Sequence, residues 1–187
     1  MARWQPNAAQ RLAAAALDLF EEQGYERTTV IEIAQRAGLT KSTFFRYFPD
    51  KREVLFGGGT MTALLIEGIA AAPAGAGPVE TVAHALEAIG REAFTPDRRE
   101  FSARRQAVLA AHSELREREA LKELALTAAM VDALERRGVP ALTARVAAQL
   151  GALAWKIAYE RWIESADDFG ALARRALTEV HKASARC

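Results

Sequence analysis

The stretch GLTKSTFFRYF, residues 38–48, has two halves of opposite character. Its first half, TKST at 40–43, offers short hydroxyls and one amine, whereas aromatic rings crowd around Arg46 in its second half. A surface helix has no use for so many rings, and a core helix has no use for the polar beginning. We therefore expect a short helix in which Phe44 and Phe48 point inward as anchors and the polar N-terminal end faces a partner.

The residues before this stretch predict another short helix, joined to it by a tight turn. Thr28 or Thr29 can cap its N-terminus, and Gly38 can end it in the left-handed conformation. Leu39 then fills the corner, and Thr40 caps the following helix. Apolar spacing predicts that the buried face of the first of these helices is Val30, Ile33, Ala34 and Ala37. Two short helices joined by a glycine-containing turn make a helix-turn-helix, here over about residues 29–48.

The second helix of this pair is predicted to enter the major groove of DNA. N-terminal residues of a recognition helix contact base edges. Thr40, Lys41 and Ser42 are therefore the predicted readers, with Lys41 as a donor to guanine O6 or N7. Thr43 suits a base edge or a phosphate equally. For Arg46, a solvated charge and a DNA contact are equally well supported.

The local charge is consistent with this interpretation. The formal net charge of the chain is only +1, but six basic residues and two acidic ones lie between Arg27 and Arg52. A basic patch on a nearly neutral protein is typical of nucleic-acid binding through one face.

The composition argues against several other classes of protein. The chain has 187 residues, of which 50% are hydrophobic and 26% are charged, as in ordinary soluble proteins. The sequence contains no run of about 18 apolar residues, so no membrane span is predicted. The N-terminus lacks the apolar run of a signal peptide, so we expect a cytoplasmic protein. Cys187 is the single cysteine, which argues against an internal disulfide and a cysteine-ligated zinc site.

No motif predicts an enzyme, a metal site or a cofactor. The three histidines, His84, His112 and His181, lack metal-ligand spacing. The sequence contains no Gly-x-Ser-x-Gly elbow and no dinucleotide-binding loop. The glycine cluster at 57–59 is not a phosphate loop, because no Gly-Lys-Ser/Thr follows it. Enzymatic activity is therefore rejected as the rival interpretation.

Helical periodicity and the scarcity of β-branched runs predict an all-α protein. The first helix is expected from Asn7 to Gln23, and a fourth is expected from the Asp50 cap to about Ala70, loosened or bent by the glycine cluster. Residues 72–78, APAGAGP, are predicted to form a linker. Later helices are expected at about 78–94, 97–112, 114–137, 140–164 and 168–183. We expect a helix-turn-helix domain at residues 1–50 and a larger helical domain at residues 51–187.

Over roughly residues 7–56, the chain resembles the tetracycline-repressor (TetR) family of bacterial transcription regulators. The matching run is ALDLFEEQGYERTTVIEIAQRAGLTKSTFFRYFPDKREVLF. Members of the family typically have an apolar helix that ends in Gly-Tyr/Phe, followed by a second helix that starts at Thr-Thr and continues into IA-x-x-AG-[VL]-[ST]. A short helix comes next, and then a lysine before the helix that follows. The match is long and ungapped. The remaining chain shares only the expected length and all-α character.

The resemblance implies further DNA contacts. Tyr47 and Lys51 are expected to contact the phosphate backbone, and Thr28 and Thr29 to do so from the start of the preceding helix. Free amides at a helix N-terminus also suit phosphate on physical grounds. Phe45 departs from the family pattern, which usually has a tyrosine whose hydroxyl reaches a phosphate.

The resemblance also implies that the C-terminal helices bind an effector and form a homodimer. The expected protein is a repressor that binds a palindromic operator in double-stranded DNA and is released by a small molecule. An effector-independent activator or architectural DNA-binding protein is the alternative, and a filled C-terminal core would distinguish it.

Two groups of C-terminal residues are candidates for these roles. Small and apolar side chains at helical spacing are expected to form a four-helix dimer interface, unless both helices pack only within the monomer. They are Ala144, Ala148, Gly151, Phe169, Leu172, Ala173, Ala176, Leu177 and Val180. A second group mixes apolar, aromatic and a few polar types and suits a largely apolar effector, although each member alone also fits the core or the surface. These residues are Met61, Leu65, His84, Phe101, Arg105, His112, Met130, Trp155 and Tyr159.

Overall fold

The structure is a computed structural model that describes residues 8–57 and 59–186. The described residues form helices, turns and loops without a strand. The α-helices are α1 (Ala8–Gln23), α2 (Val30–Arg36), α3 (Lys41–Tyr47), α4 (Thr60–Ala71), α5 (Pro78–Ala93), α6 (Arg99–Ala111), α7 (Ser113–Arg136), α8 (Ala141–Glu164) and α9 (Phe169–Ser184). Short 3-10 helices lie at Arg52–Leu55 and Pro96–Arg98. The all-α prediction is confirmed, and the predicted later helices agree to within a residue or two. None of the helices in the described ranges has the length and apolarity to cross a membrane.

The fourth helix differs from the prediction. The Asp50 carboxylate does cap the next element, because its Oδ1 accepts a 3.1 Å hydrogen bond from the backbone N–H of Glu53. That element is only the 3-10 helix Arg52–Leu55, however, and α4 begins separately at Thr60. Gly57 adopts a φ of +65°, which a continuing right-handed helix cannot contain. The glycine cluster, whose Gly58 lies outside the described residues, therefore separates two elements.

The chain divides into two compact units. The first consists of the described residues of Met1–Gly59 together with Phe101–Glu119, and the second of Thr60–Glu100 together with the described residues of Ala120–Cys187. This division differs from the predicted boundary after residue 50. Long-range contacts within the first unit give the reason. Arg118 pairs with the buried carboxylate of Glu53, and Arg105 Nε donates a 2.7 Å hydrogen bond to the Leu55 carbonyl.

The first unit has its own apolar core. One face of α1 is buried in this core and carries four apolar side chains: Leu12, Ala16, Leu19 and Phe20. In the same cluster lie Ile33 and Ala34 from α2, Phe44 from α3, and Leu109 from α6. Each fully buried large side chain contributes about 1.5–3 kcal/mol through the hydrophobic effect. The core therefore fixes α2 and α3 against α1.

The second unit is built on close helix packing at small residues. A Cβ placed on Gly90 of α5 would lie 2.8 Å from the backbone nitrogen of Gly170 in α9. A Cβ on Gly68 of α4 would lie 2.8 Å from the Cα of Ala85 in α5. These distances are shorter than any ordinary carbon contact, so glycine is what allows the helices to approach.

The side chains predicted to form the dimer interface lie in this core. All nine are buried within the single chain: Ala144, Ala148, Gly151, Phe169, Leu172, Ala173, Ala176, Leu177 and Val180. A Cβ on Gly151, for example, would lie 2.5 Å from Cγ1 of Val82 on α5. Small residues suit close approach of helices within a chain as well as between chains, and here α8 and α9 pack mainly on each other and on α5.

The close approach of α5 and α9 predicts that Gly90→Ala destabilises the protein. The added Cβ would meet backbone rather than a flexible side-chain tip, and overpacking of this kind costs about 1–3 kcal/mol of unfolding free energy. Gly75→Ala is the control, because a Cβ there meets nothing within 4 Å. Urea unfolding of both variants provides the measurement. An unchanged midpoint for Gly90→Ala would contradict the packing described here.

Candidate nucleic-acid interface

The start of α2 is fixed by a reciprocal cap. The Thr29 hydroxyl accepts a 3.2 Å hydrogen bond from the Glu32 N–H, and Glu32 Oε2 accepts a 2.7 Å bond from the Thr29 N–H. Hydrogen bonds from the Thr29 hydroxyl and amide hold the pKa of the Glu32 carboxyl below its usual value. Sequence alone left Thr28 and Thr29 as alternatives, and the structure identifies Thr29 as the cap. A capping box of this kind stabilises a helix of only seven residues.

The turn between α2 and α3 forms as predicted. Gly38 has a φ of +66°, and its N–H donates to the Gln35 carbonyl over 2.9 Å. Leu39, half-buried in the corner, donates its N–H to the Ala34 carbonyl over 2.8 Å. The Arg11 guanidinium of α1 donates to the Ala37 carbonyl at the end of α2. This turn sets the direction in which α3 leaves.

Helix α3 is anchored on one side by aromatic rings. Phe44 is fully buried and Phe48 nearly so, with their ring centroids 5.6 Å apart. Thr40 caps the helix by accepting a 3.2 Å hydrogen bond from the Thr43 N–H. The hydroxyls of Ser42 and Thr43 both lie 2.9 Å from that of Thr40. The predicted combination of an aromatic anchor and a polar beginning is therefore present.

The opposite side of α3 carries exposed rings and charges. Phe45 is 46% exposed and Tyr47 is 40% exposed, which is unusual for large aromatic side chains on a free surface. Lys41 Nζ lies 5.9 Å from the Phe45 ring centroid, and the Arg46 guanidinium lies 5.2 Å from that of Tyr47. Ile31 on α2 is also exposed, at 47%. Rings and cations side by side suit the sugars and phosphates of a nucleic-acid backbone.

Some of the basic residues of this region are neutralised by carboxylates, and others are not. Arg36 forms two hydrogen bonds of 2.8 and 2.7 Å to the carboxylate of Glu22, and this lowers the pKa of that carboxyl. Arg52 pairs with Asp50 at 3.0 Å. Among the described residues of this region, Arg27, Lys41, Arg46 and Lys51 have no carboxylate partner, although Arg27 and Lys51 donate to backbone carbonyls. The uncompensated positive charge thus lies on α3 and just before α2.

Thr28 does not fit its predicted phosphate contact. Its side chain is only 1% exposed, and its hydroxyl donates a 2.9 Å hydrogen bond to the Gly24 carbonyl at the end of α1. The buried hydroxyl holds the α1–α2 connection and is not available to DNA. Thr29 is exposed, but its hydroxyl already serves the cap of α2.

Lys51 also has partners within the protein. Its ammonium donates to the carbonyls of Tyr25 at 2.7 Å and Thr28 at 3.1 Å, and it lies 4.1 Å from the Tyr25 ring centroid. Burial raises the pKa of the Tyr25 phenol, as does the nearby Glu114 carboxylate, so the ring under the cation stays neutral. A phosphate contact would require these bonds to break. The geometry instead suits a side chain that positions the start of α2.

The predicted effector residues are divided between the two units. Phe101, Arg105 and His112 belong to the first unit. Arg105 contacts Leu55 and Glu119, and the His112 ring lies 5.5 Å from that of Tyr25. The others belong to the second unit: Met61, Leu65, His84, Met130, Trp155 and Tyr159. Of these, Leu65 and Met130 are core residues.

Sequence reasoning missed two features of this surface. Ile31 falls outside the buried stripe of α2, so a helical wheel would have placed it on the exposed side. Arg11 gave no local signal, because its partner Ala37 lies far along the chain.

This region of the chain matches a known family of proteins by sequence. Residues 12–56 match the sequence model described as bacterial regulatory proteins, tetR family. The regulator TcmR of Streptomyces glaucescens is 39% identical over 83 residues, which cover 42% of this chain and 35% of TcmR. HbdR of Aromatoleum sp. (strain CIB) is 41% identical over 46 residues, covering 25% and 20% of the two chains. Both are described as HTH-type transcriptional regulators. The chain therefore matches about a third or less of the length of these relatives.

Solved structures resemble the chain over most of its length. FadR of Thermus thermophilus, a TetR-family transcriptional repressor solved with lauroyl-CoA, is 26% identical, with a TM-score of 0.55 over 92% of each chain. NalD of Pseudomonas aeruginosa, the secondary repressor of a multidrug efflux pump, is 20% identical, with a TM-score of 0.58 over 94% of this chain and 95% of its own. The second likeness concerns the fold alone.

The exposure of Phe45 predicts that Phe45→Tyr tightens DNA binding. The added hydroxyl would face solvent in the free protein and could donate to a phosphate, for a net gain of about 1 kcal/mol. Because phosphates carry no sequence information, operator and random duplexes should both bind more tightly. Binding titrations and a thermal melt test this. A lower melting temperature without tighter binding would place the hydroxyl in the core.

The contacts of Lys51 predict that Lys51→Met lowers the free energy of unfolding. The salt dependence of DNA binding should stay nearly unchanged. The variant keeps the apolar stem but removes donors to partly buried carbonyls, at a cost of about 1–3 kcal/mol. Lys41→Met is the matched control, since Lys41 is exposed and should leave the unfolding free energy unchanged. A phosphate contact at Lys51 would instead reduce the slope of log K against log salt by roughly one, with stability intact.

Proposed function

We propose that this chain, whose residues 12–56 match the sequence model of the tetR family of bacterial regulatory proteins, is a homodimeric, effector-responsive transcriptional repressor of that family. The observation that carries the proposal is the two-sided construction of α3. Phe44 is fully buried beneath the helix, while Lys41 and Ser42 are exposed at its N-terminal end. This is the arrangement a recognition helix needs in a major groove.

DNA reading is assigned to the beginning of α3. The Ser42 hydroxyl can donate to or accept from base edges, the Thr40 hydroxyl can donate its proton while it caps α3, and Lys41 can donate to guanine O6 or N7. Thr43, Arg46 and Tyr47 lie further along the same short helix and suit phosphates. Phosphate contacts fix the register and base contacts supply the sequence preference.

Homodimerisation is assigned to the outward face of α8. Leu142, Val146 and Leu153 are 75%, 51% and 49% exposed. Their spacing of four and seven residues puts them on one stripe of a helix that begins at Ala141. A two-fold dimer would bury this stripe against its copy and repeat the recognition helix, so the preferred DNA would be an inverted repeat.

Effector response is supported by two observations. The FadR relative is a repressor whose structure contains lauroyl-CoA. Helices α6 and α7 of this chain each contribute residues to both units, and both contact the 3-10 helix that follows α3. A ligand that favours one arrangement of these helices would shift the population of DNA-competent dimers.

An effector-independent DNA-binding protein is the second candidate, and the core of the second unit favours it. Phe94 packs against four other rings with centroids between 4.1 and 5.8 Å away: Trp155, Tyr159, Trp162 and Phe169. Contact distances of this kind fill the space between α5, α8 and α9. If the rings stay fixed, no room remains among them for a ligand.

Selection from random duplexes tests the proposed function directly. The full chain should recover inverted repeats whose half-sites lie about one helical turn, ~34 Å, apart. A library of small molecules screened for release of that operator then separates the two candidates. Recovery of unrepeated or single-stranded sites would contradict the proposed dimeric repressor.

The outward stripe of α8 predicts the effect of charge at the dimer interface. Val146→Glu together with Leu153→Glu should yield a monomer by sedimentation, because two carboxylates per subunit would be buried without partners. The monomer should fold normally, since both side chains are exposed in the single chain. Leu124→Glu, at a 66% exposed position on α7, is the control. A dimer that survives in the double variant but separates in the control would move the interface to α7.

A further inference from the structure

Two buried N–H groups of the second unit have no acceptor among the described residues. They are Nε1 of Trp162 and Nε of Arg99. Trp162 is fully buried on α8, and Arg99 begins α6. Native proteins pair nearly all buried donors, because a donor removed from water without an acceptor is strongly unfavourable. An orphaned pair within one cluster therefore calls for an acceptor from outside the chain.

Arg99 brings a positive charge without a neutralising partner to the same place. Its guanidinium lies 5.0 Å from the centroid of the Trp162 ring, and its terminal Nη2 donates a 2.8 Å hydrogen bond to the backbone carbonyl of Asp167. The Asp167 carboxylate is engaged elsewhere, by Arg175 at 2.9 Å. Within the described ranges, Arg99 has no carboxylate partner. An anionic acceptor satisfies both the charge and the free N–H, whereas a neutral one satisfies only the N–H.

The surroundings of the two donors are apolar and aromatic. Phe94 is stacked on Phe169 with centroids 4.1 Å apart and meets the Trp162 ring edge-on at 5.2 Å. Trp155 and Tyr159 pack on Phe94 and are only half-buried, so they are the rings of this cluster that border solvent. Movement of these two rings would admit an apolar body beside the donors, as in pockets that open only with their ligand.

The surface groove that includes Asp167 does not offer the same chemistry. One open groove is lined by Arg161, Asp167, Arg175 and Glu179 among others. Its charges already pair with one another, Arg161 with Glu179 at 2.8 Å and Arg175 with Asp167 at 2.9 Å. The unsatisfied groups lie at Arg99 and Trp162 instead.

We propose that Arg99 and Trp162 form the acid-binding end of an effector site for a small carboxylate with an aromatic or aliphatic body. One carboxylate would accept from Arg99 Nε and Trp162 Nε1, while its body takes the place of the Trp155 and Tyr159 rings against Phe94. This inference rests on the proposed effector-responsive function and names the class of its effector.

The test uses the full-length protein with phenylacetate and octanoate as probes, and phenylethanol and octanol as their neutral counterparts. Proton–nitrogen correlation spectra report the indole N–H of Trp162, identified by its loss in Trp162→Phe. Titration calorimetry gives the dissociation constants. Trp162→Phe keeps an aromatic ring but removes the donor, and Tyr25→Phe, which trims a buried ring of the first unit, is its control. Arg99→Met keeps the apolar stem, and Arg98→Met at the exposed neighbouring position is its control.

We expect at least one acid to bind and to move the Trp162 indole signal downfield. Trp162→Phe and Arg99→Met should each weaken that binding at least about tenfold, and the two controls less than about threefold. The alcohols should bind much more weakly and should not distinguish the variants. Thermal melts should show that Trp162→Phe remains folded, because loss of the unpaired donor partly offsets the cavity that the smaller ring leaves.

Three outcomes would overturn the proposal: neither acid binds, the acids bind equally well to Trp162→Phe, or the Trp162 signal stays in place at saturation. Operator binding, measured on the same samples, keeps the two proposals apart. Acid binding that depends on Trp162 but leaves the operator complex intact supports the site and contradicts effector release. Operator release by other molecules without acid binding supports the repressor and contradicts this site.

Discussion

Burial of Phe44 and Phe48 is the interaction on which the candidate DNA surface depends. Helix α3 has only seven residues, too few to be stable alone in water. Its conformation comes from two rings in the core of the first unit and from the Thr40 cap. With one side of the helix fixed in this way, the residues on its other side are free to be polar, charged or exposed.

Other contacts of the first unit support the same helix from a distance. Arg11 holds the end of α2, Lys51 holds the connection before it, and Thr28 ties that connection to α1. Each of these side chains donates to backbone carbonyls at a helix end or in a loop, where the regular hydrogen bonding of a helix is missing. Thr28 and Lys51, which the family resemblance suggested as DNA contacts, therefore help to position the helices that carry the other candidate contacts. Uncompensated charge remains where DNA would lie, on Lys41 and Arg46.

Local signals made the fold of this chain predictable, and long-range contacts limited the prediction. The Gly38 turn, the Thr40 cap and the inward rings of α3 follow from neighbouring residues, and all are confirmed. The two-unit division could not be read from the sequence, because it depends on pairs such as Glu53 with Arg118. Small residues of α8 such as Ala148 are equally suited to packing within and between chains, so their pattern could not identify the interface. The unpaired donors of Arg99 and Trp162 are visible only in three dimensions.

The central claim is that the N-terminal end of α3 reads base edges while its rings hold it in place. Methylation interference at guanine N7, on the operator recovered by selection, tests it most directly. The parent protein should show interference at a guanine in each half-site, and Lys41→Ala should lose that signal while Arg46→Ala retains it. The same guanine pattern with the parent and with Lys41→Ala would contradict the account.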